Sequence, residues 1–142
     1  MLLTLACAAL VTVLLDRWSK ARVRAHAPGR WRVALAPGVS LRHVRARVGH
    51  RTPVWWGVAL LLTVSLVVAL LATGGVFTTV GSWLGLGAAV AGAASNVYDR
   101  LRDRCIVDFV CIGWWPAFNV ADVAIVIGAG TALVSLGYAG LS

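Results

Sequence analysis

Residues 54–96 read VWWGVALLLTVSLVVALLATGGVFTTVGSWLGLGAAVAGAASN and contain no Asp, Glu, Lys or Arg. They divide into two apolar runs, Val54–Ala72 and Val76–Asn96, with only Thr73-Gly74-Gly75 between them. A helix of about 20 apolar residues crosses a hydrocarbon core of about 30 Å, so each run is long enough to span. Three connecting residues, two of them glycine, allow only a tight reversal, which makes the pair antiparallel. Along the second run Gly81, Gly85, Ala88, Gly92 and Asn96 fall on one helical stripe. In lipid such a stripe lets two helix backbones approach closely, since packing replaces the hydrophobic drive.

Working outward, two further spans complete the pattern. Met1 to about Trp18 is apolar and ends in charges, with Lys20 and Arg22 placed to reach the interface. It lacks the basic start and small-residue cleavage site of a signal peptide. Phe118 to Tyr138 forms the last span. The expected architecture is an all-α membrane protein, a four-transmembrane-helix bundle with spans at about 1–18, 54–72, 76–96 and 118–138. Residues 1–142 then form a single integral membrane domain. Composition agrees: 60% hydrophobic against 13% charged, with mean hydropathy +0.85, is outside the range of soluble domains.

Two polar segments lie between the spans and, with four crossings, share one membrane face. In Arg17–Pro53, Trp31-Arg32-Val33-Ala34-Leu35 and Val39-Ser40-Leu41-Arg42 flank Ala36-Pro37-Gly38, which predicts a small β-hairpin on the membrane surface. The other segment, Val97–Ala117, mixes acidic and basic residues. The net charge of +8 would suit a nucleic-acid partner, but the basic residues sit in short stretches between apolar runs, where they meet lipid headgroups. No nucleic acid is expected. Cys7, Cys105 and Cys111 lack metal spacing, and Cys105 and Cys111 leave a disulfide open. His26, His43 and His50 show no ligand-like grouping, so no metal is expected.

The chemistry lies in the acids. The chain has no glutamate and five aspartates, Asp16, Asp99, Asp103, Asp108 and Asp122, all on the face of the polar segments. Asp122 stands one turn into the last span with Asn119 three residues before it; a site acid and a helix-start acid favoured by the macrodipole both fit. Asp108, within Ile106-Val107-Asp108-Phe109-Val110, is its natural partner. Two carboxyls brought together at low dielectric share a proton, one acting as base on water and the other as acid. That chemistry needs no metal or cofactor. Asp16 and Lys20, four apart with the acid first, form a helical ion pair anchoring the first span. Gly92, Asn96 and Arg100 continue one stripe into the bundle, with an ion pair from Arg100 to Asp99 or Asp103 as the alternative to a site role. A proton-linked transporter using the same two acids would need a polar path to both faces, and the third and fourth spans supply none.

Three stretches resemble the lipoprotein signal peptidase (signal peptidase II) family. They are Asp16-Arg17-Trp18-Ser19-Lys20; Gly92-Ala93-Ala94-Ser95-Asn96-Val97-Tyr98-Asp99-Arg100; and Val107-Asp108-Phe109 followed by Trp115-Pro116-Ala117-Phe118-Asn119-Val120-Ala121-Asp122. The resemblance implies an aspartic endopeptidase whose dyad is Asp108 and Asp122. Asn96, Arg100 and Asn119 would line the site, and Gly92, Asp16 and Lys20 would support it. The implied substrates are lipid-modified prolipoproteins, cut before a diacylglyceryl-cysteine. The implied place is the bacterial cell membrane, with the site near the extracytoplasmic face and the hairpin as a cradle above it. Membrane lipids are the other partners, and a monomer is assumed.

The chain departs from the family in one stretch. Val44-Arg45-Ala46-Arg47-Val48-Gly49-His50 has Ala46 or Arg47 where the family carries a substrate-contacting asparagine. This motivates a second reading, a catalytically weak relative that binds lipopeptides without turnover. All thirteen Lys and Arg also fall on the dyad face, which the positive-inside rule would place in the cytoplasm, opposite to the side the resemblance implies.

Overall fold

The computed structural model describes residues 1–26, 32–47, 79–103 and 105–139. In chain order these form helix α1 (Leu2–His26), strands β1 (Arg32–Ala36) and β2 (Val39–Arg47), helix α2 (Val80–Asp103), strand β3 (Cys105–Ile112) and helix α3 (Val120–Ala139). The expected second span and the Thr73-Gly74-Gly75 turn lie outside the described residues. The molecule is mostly helical with a three-stranded sheet. Among the described residues, Leu2–Ala25 and Val80–Asp103 are long and apolar enough to cross a membrane, and α3 has a shorter apolar stretch, Val120–Ser135.

α2 is the central helix, packed against α1 on one side and α3 on the other. The glycine stripe is what lets it sit there. A Cβ built on Gly85 would lie 2.5 Å from the Gly128 carbonyl oxygen, and one on Gly128 would lie 2.5 Å from that of Gly85. A Cβ on Gly92 would meet the Ala121 carbonyl oxygen at the same distance. No side chain fits at these three positions, the close approach expected of small residues in lipid. The outward faces are apolar: Leu2, Leu3, Leu10, Leu14, Val126 and Val134 are all exposed, as a lipid-facing surface requires.

Both long helices run on past the expected spans. α1 continues past Trp18 to His26, and α2 continues past Asn96 to Asp103. The extra turns carry charge and are held together across the two helices. The Arg17 guanidinium stacks 3.9 Å from the Tyr98 ring centroid, Lys20 pairs with Asp99, and Arg24 pairs with Asp103 at 2.9 Å. Opposite charges zipped along neighbouring helices keep both wound beyond the apolar core.

The hairpin forms as expected, with Gly38 at φ 78 in the turn. β1 and β2 pair antiparallel with Ala34 opposite Ser40. β2 runs five residues further than anticipated, to Arg47, because a third strand covers it: β3 pairs antiparallel with Val39 opposite Ile112 and Val44 opposite Asp108. The polar segment Val97–Ala117 is therefore helical as far as Asp103 and a strand over Cys105–Ile112. Its apolar positions bury Ile106, Val107 and Phe109, and Val107 and Phe109 pack with Val23 of α1 as a small core beneath the sheet. α3 begins at Val120 rather than Phe118, since Phe118 is bonded to the strand. Val110 donates to the Phe118 carbonyl at 2.9 Å, and the Phe118 amide donates back to Val110 at 3.0 Å.

Candidate active site

The site is built where the polar end of the bundle meets β3. Asn119 precedes the first residue of α3, and its side chain does what a helix cap does. Its carbonyl oxygen accepts from the Asp122 amide at 3.1 Å, while Asp122 Oδ2 accepts from the Asn119 amide at 3.0 Å. This reciprocal pair is a capping box with aspartate in place of glutamate. Asp122 does stand in the first turn of α3, yet only one carboxylate oxygen serves the cap.

The other oxygen faces α2. Asp122 Oδ1 accepts from Asn96 Nδ2 at 2.7 Å. Asn119 has a second task as well: its Nδ2 donates to Asp108 Oδ1 at 2.8 Å and to Asn96 Oδ1 at 3.2 Å. A single asparagine thereby touches both carboxyls, and Asp108 and Asp122, from β3 and α3, come together around it. Asp108 is 7% exposed, and burial pushes its carboxyl up to about 6; the Asp122 charge adds to the rise, and the Asn119 bond works against it.

Behind this pair lies a buried ionic cluster. Asp16 is fully buried and Lys20 is 1% exposed. Lys20 Nζ donates to Asp16 Oδ2 at 2.6 Å and to Asn96 Oδ1 at 3.1 Å. It also lies 2.8 Å from Asp99 Oδ2, an ion pair whose direction misses a hydrogen bond. Asp16 is saturated: Ser95 Oγ donates to its Oδ2 at 2.6 Å, and the Ala121 amide donates to its Oδ1 at 3.0 Å. The i,i+4 pair read from the sequence is therefore present, and it does more than anchor α1. Asp16 reaches over to hold the first turn of α3, one residue before Asp122.

Gly92 sits one turn below Asn96, against Ala121, and its missing side chain is what brings Asn96 within bonding distance of Asp122. Arg100 forms no ion pair among the described residues, and its Nη1 is buried without a hydrogen-bond partner. The alternative partners are already taken: Asp99 by Lys20, Arg17 and Arg24, and Asp103 by Arg24 and Arg102. Sequence reading did not single out Ser95 or Asp99 for this cluster. Their spacing from Asn96 and Gly92, with one face turned to α1, was the available signal. Cys105 and Cys111 are free thiols. The side chains of Ala46 and Arg47 lie outside the described residues.

Comparison with known proteins gives one answer. Residues 8–137 match the family model described as signal peptidase (SPase) II. The chain is 38% identical over 111 residues to a lipoprotein signal peptidase of Rhodococcus jostii, covering 72% of this chain and 56% of that protein. It is 36% identical over 141 residues to one of Nitratidesulfovibrio vulgaris, covering 90% and 86%. With the Mycobacterium leprae protein the match is 47% over 79 residues but spans only 39% of that chain. Two of these relatives are thus matched over little more than half their length or less. The fold is that of a bacterial membrane enzyme solved by the in meso method, with TM-score 0.75 at 19% identity over 95% of this chain and 88% of the other. A family model covering nearly the whole chain, and a relative above 30% identity matched along most of both, place the chain in the signal peptidase II family.

Proposed function

We propose that the protein is a membrane aspartic endopeptidase that removes the signal peptide of bacterial prolipoproteins before a diacylglyceryl-cysteine. The observation that carries this reading is the Asn119 bridge, one amide bonded to Asp108 while the same residue's backbone bonds Asp122. Paired carboxyls sharing one proton can activate water with one member and protonate the scissile carbonyl with the other. In this reading Arg100, whose buried Nη1 has no partner among the described residues, donates to a backbone carbonyl of the substrate. Residues 1–142 act as one four-span domain in the cell membrane. The sheet lies as a cradle on the extracytoplasmic side, and the protein works as a monomer among lipids.

The test is cleavage of a diacylglyceryl prolipoprotein peptide by the purified protein, beside Asp108→Asn and Asp122→Asn. Cleavage by the unaltered chain and none by either variant is the expected result. Undiminished cleavage by either variant refutes the dyad.

The stretch Val44–His50, with Ala46 and Arg47 where an asparagine is expected, favours one other reading: a relative that binds lipopeptides without turnover. Binding of the peptide with no released signal peptide would select it.

A further inference from the structure

Lys20 is almost wholly buried, and two carboxylates, Asp16 and Asp99, already answer its charge. Anchoring α1 to its neighbours would be complete with those two. The ammonium has three protons, and one of them goes instead to the Asn96 carbonyl oxygen at 3.1 Å. That oxygen also accepts from Asn119 Nδ2. With two donors pointed at it, the Asn96 amide has one tenable orientation: turned over, its NH2 group would face an ammonium and another NH2. Its nitrogen is thereby committed to Asp122 Oδ1.

The consequence is an unequal pair. Asp122 accepts one N–H on each oxygen, from Asn96 and from the Asn119 backbone. Asp108 accepts a single N–H on Oδ1, and its Oδ2 has no hydrogen-bond partner among the described residues. Donors stabilise the charged form of a carboxyl, and an oxygen without one is where a proton can reside.

We propose that Lys20 is a positioning residue that decides which carboxyl of the pair carries the proton: by holding the Asn96 carbonyl it aims the Asn96 amide at Asp122, making Asp122 the ionised partner and Asp108 the protonated one. This deepens the dyad reading above and rests on it for its bearing on catalysis. Asp122 then takes a proton from water as the water oxygen attacks the scissile carbonyl carbon, while Asp108 gives its proton to the carbonyl oxygen. On collapse the C–N bond breaks, the amine leaves with the proton held by Asp122, and the hydroxyl proton returns to Asp108. The charged groups facing Asp108 are Asp122 from α3 and Asp16 and Lys20 from α1, and its position as the acid agrees with a carboxyl raised to about 6.

The experiment follows the protons directly, in carbon-13 spectra of the full-length protein labelled at the aspartate carboxyl carbons, with signals assigned by single Asp→Asn replacements. At pH 5 the Asp108 signal is expected in its acid form and that of Asp122 in its carboxylate form. Asn96→Leu leaves the Lys20 ion pairs intact and is expected to move part of the proton to Asp122, about a tenfold change in the ratio of the two forms. Lys20→Met is expected to do the same, with no further change when the two are combined. In cleavage assays kcat falls in both variants with KM unchanged. An Asp122 acid signal in the unaltered protein, or an unchanged proton ratio in Asn96→Leu, overturns the proposal. The spectra need no turnover, so an unaltered protein that shows this ratio but cleaves nothing counts against the peptidase reading alone.

Discussion

At the scale of single residues, two kinds of charge stand a few ångströms apart and have different worth. Arg24 and Asp103 pair at 2.9 Å with both side chains about a third exposed, in solvent that screens them. Arg24→Ala should lower stability by about 0–1 kcal/mol in a thermal unfolding measurement in detergent. Lys20→Met leaves Asp16 and Asp99 buried without their shared cation and should cost about 3–5 kcal/mol by the same measurement. Asp108 gives a pH signature. Its folded-state value is raised to about 6, so the native state binds more protons than the unfolded chain between about pH 4 and pH 6. Stability from this group is therefore full below about pH 4 and is lost as pH rises through about 6. Asp108→Asn should remove that slope and make the variant the more stable protein at pH 7, by under about 3 kcal/mol. A variant with an unaltered slope would show that the carboxyl is not raised in the folded protein.

Among the elements, contact between α2 and α3 is where substitution should have two effects at once. Gly92→Ala puts a methyl 2.5 Å from the Ala121 carbonyl oxygen, a backbone atom that moves only if the helices part. The expected cost is about 1–3 kcal/mol of stability together with a fall in kcat, since Asn96 is carried away from Asp122. Gly85→Ala, two turns deeper, should cost similar stability with a smaller effect on kcat. The glycine stripe and the hairpin were legible in the sequence because both are local: spacing along one helix, and Pro37-Gly38 between two alternating runs. β3 was not, because the strand it pairs with, β2, lies about 60–70 residues earlier, a distance no window of periodicity reaches. The helices run past the expected spans for a related reason. Hydropathy marks where lipid ends, whereas α1 and α2 end where Arg24 and Asp103 stop pairing. The two acids and both asparagines were legible as motif residues. What one asparagine does for two carboxyls was not, since its bonds to Asp108 and Asp122 depend on the Val110–Phe118 pairing.

For the whole molecule, the question is which way it faces. The described basic residues crowd the end that holds Asp108 and Asp122, yet several of them are committed: Lys20 to Asp16 and Asp99, Arg17 to Tyr98 and Asp99, Arg24 to Asp103. Charges bound within the fold are poor guides to orientation. A cysteine placed at Pro37 in the exposed hairpin turn should react with a membrane-impermeant thiol reagent added outside intact cells; reaction only after lysis would reverse the proposed orientation. The pairing of Phe118 with Val110 has a mechanical meaning here. Between those two residues the chain closes on itself, with Asp108 two positions before the closure and Asp122 four after it. Tilting is one way a membrane helix meets a change in bilayer thickness. The gap between the acids is gauged within this one stretch of chain, so leaning of α1 or α2 need not widen it. The two acids travel together as calipers locked at one setting, while the rest of the bundle adapts to its lipid.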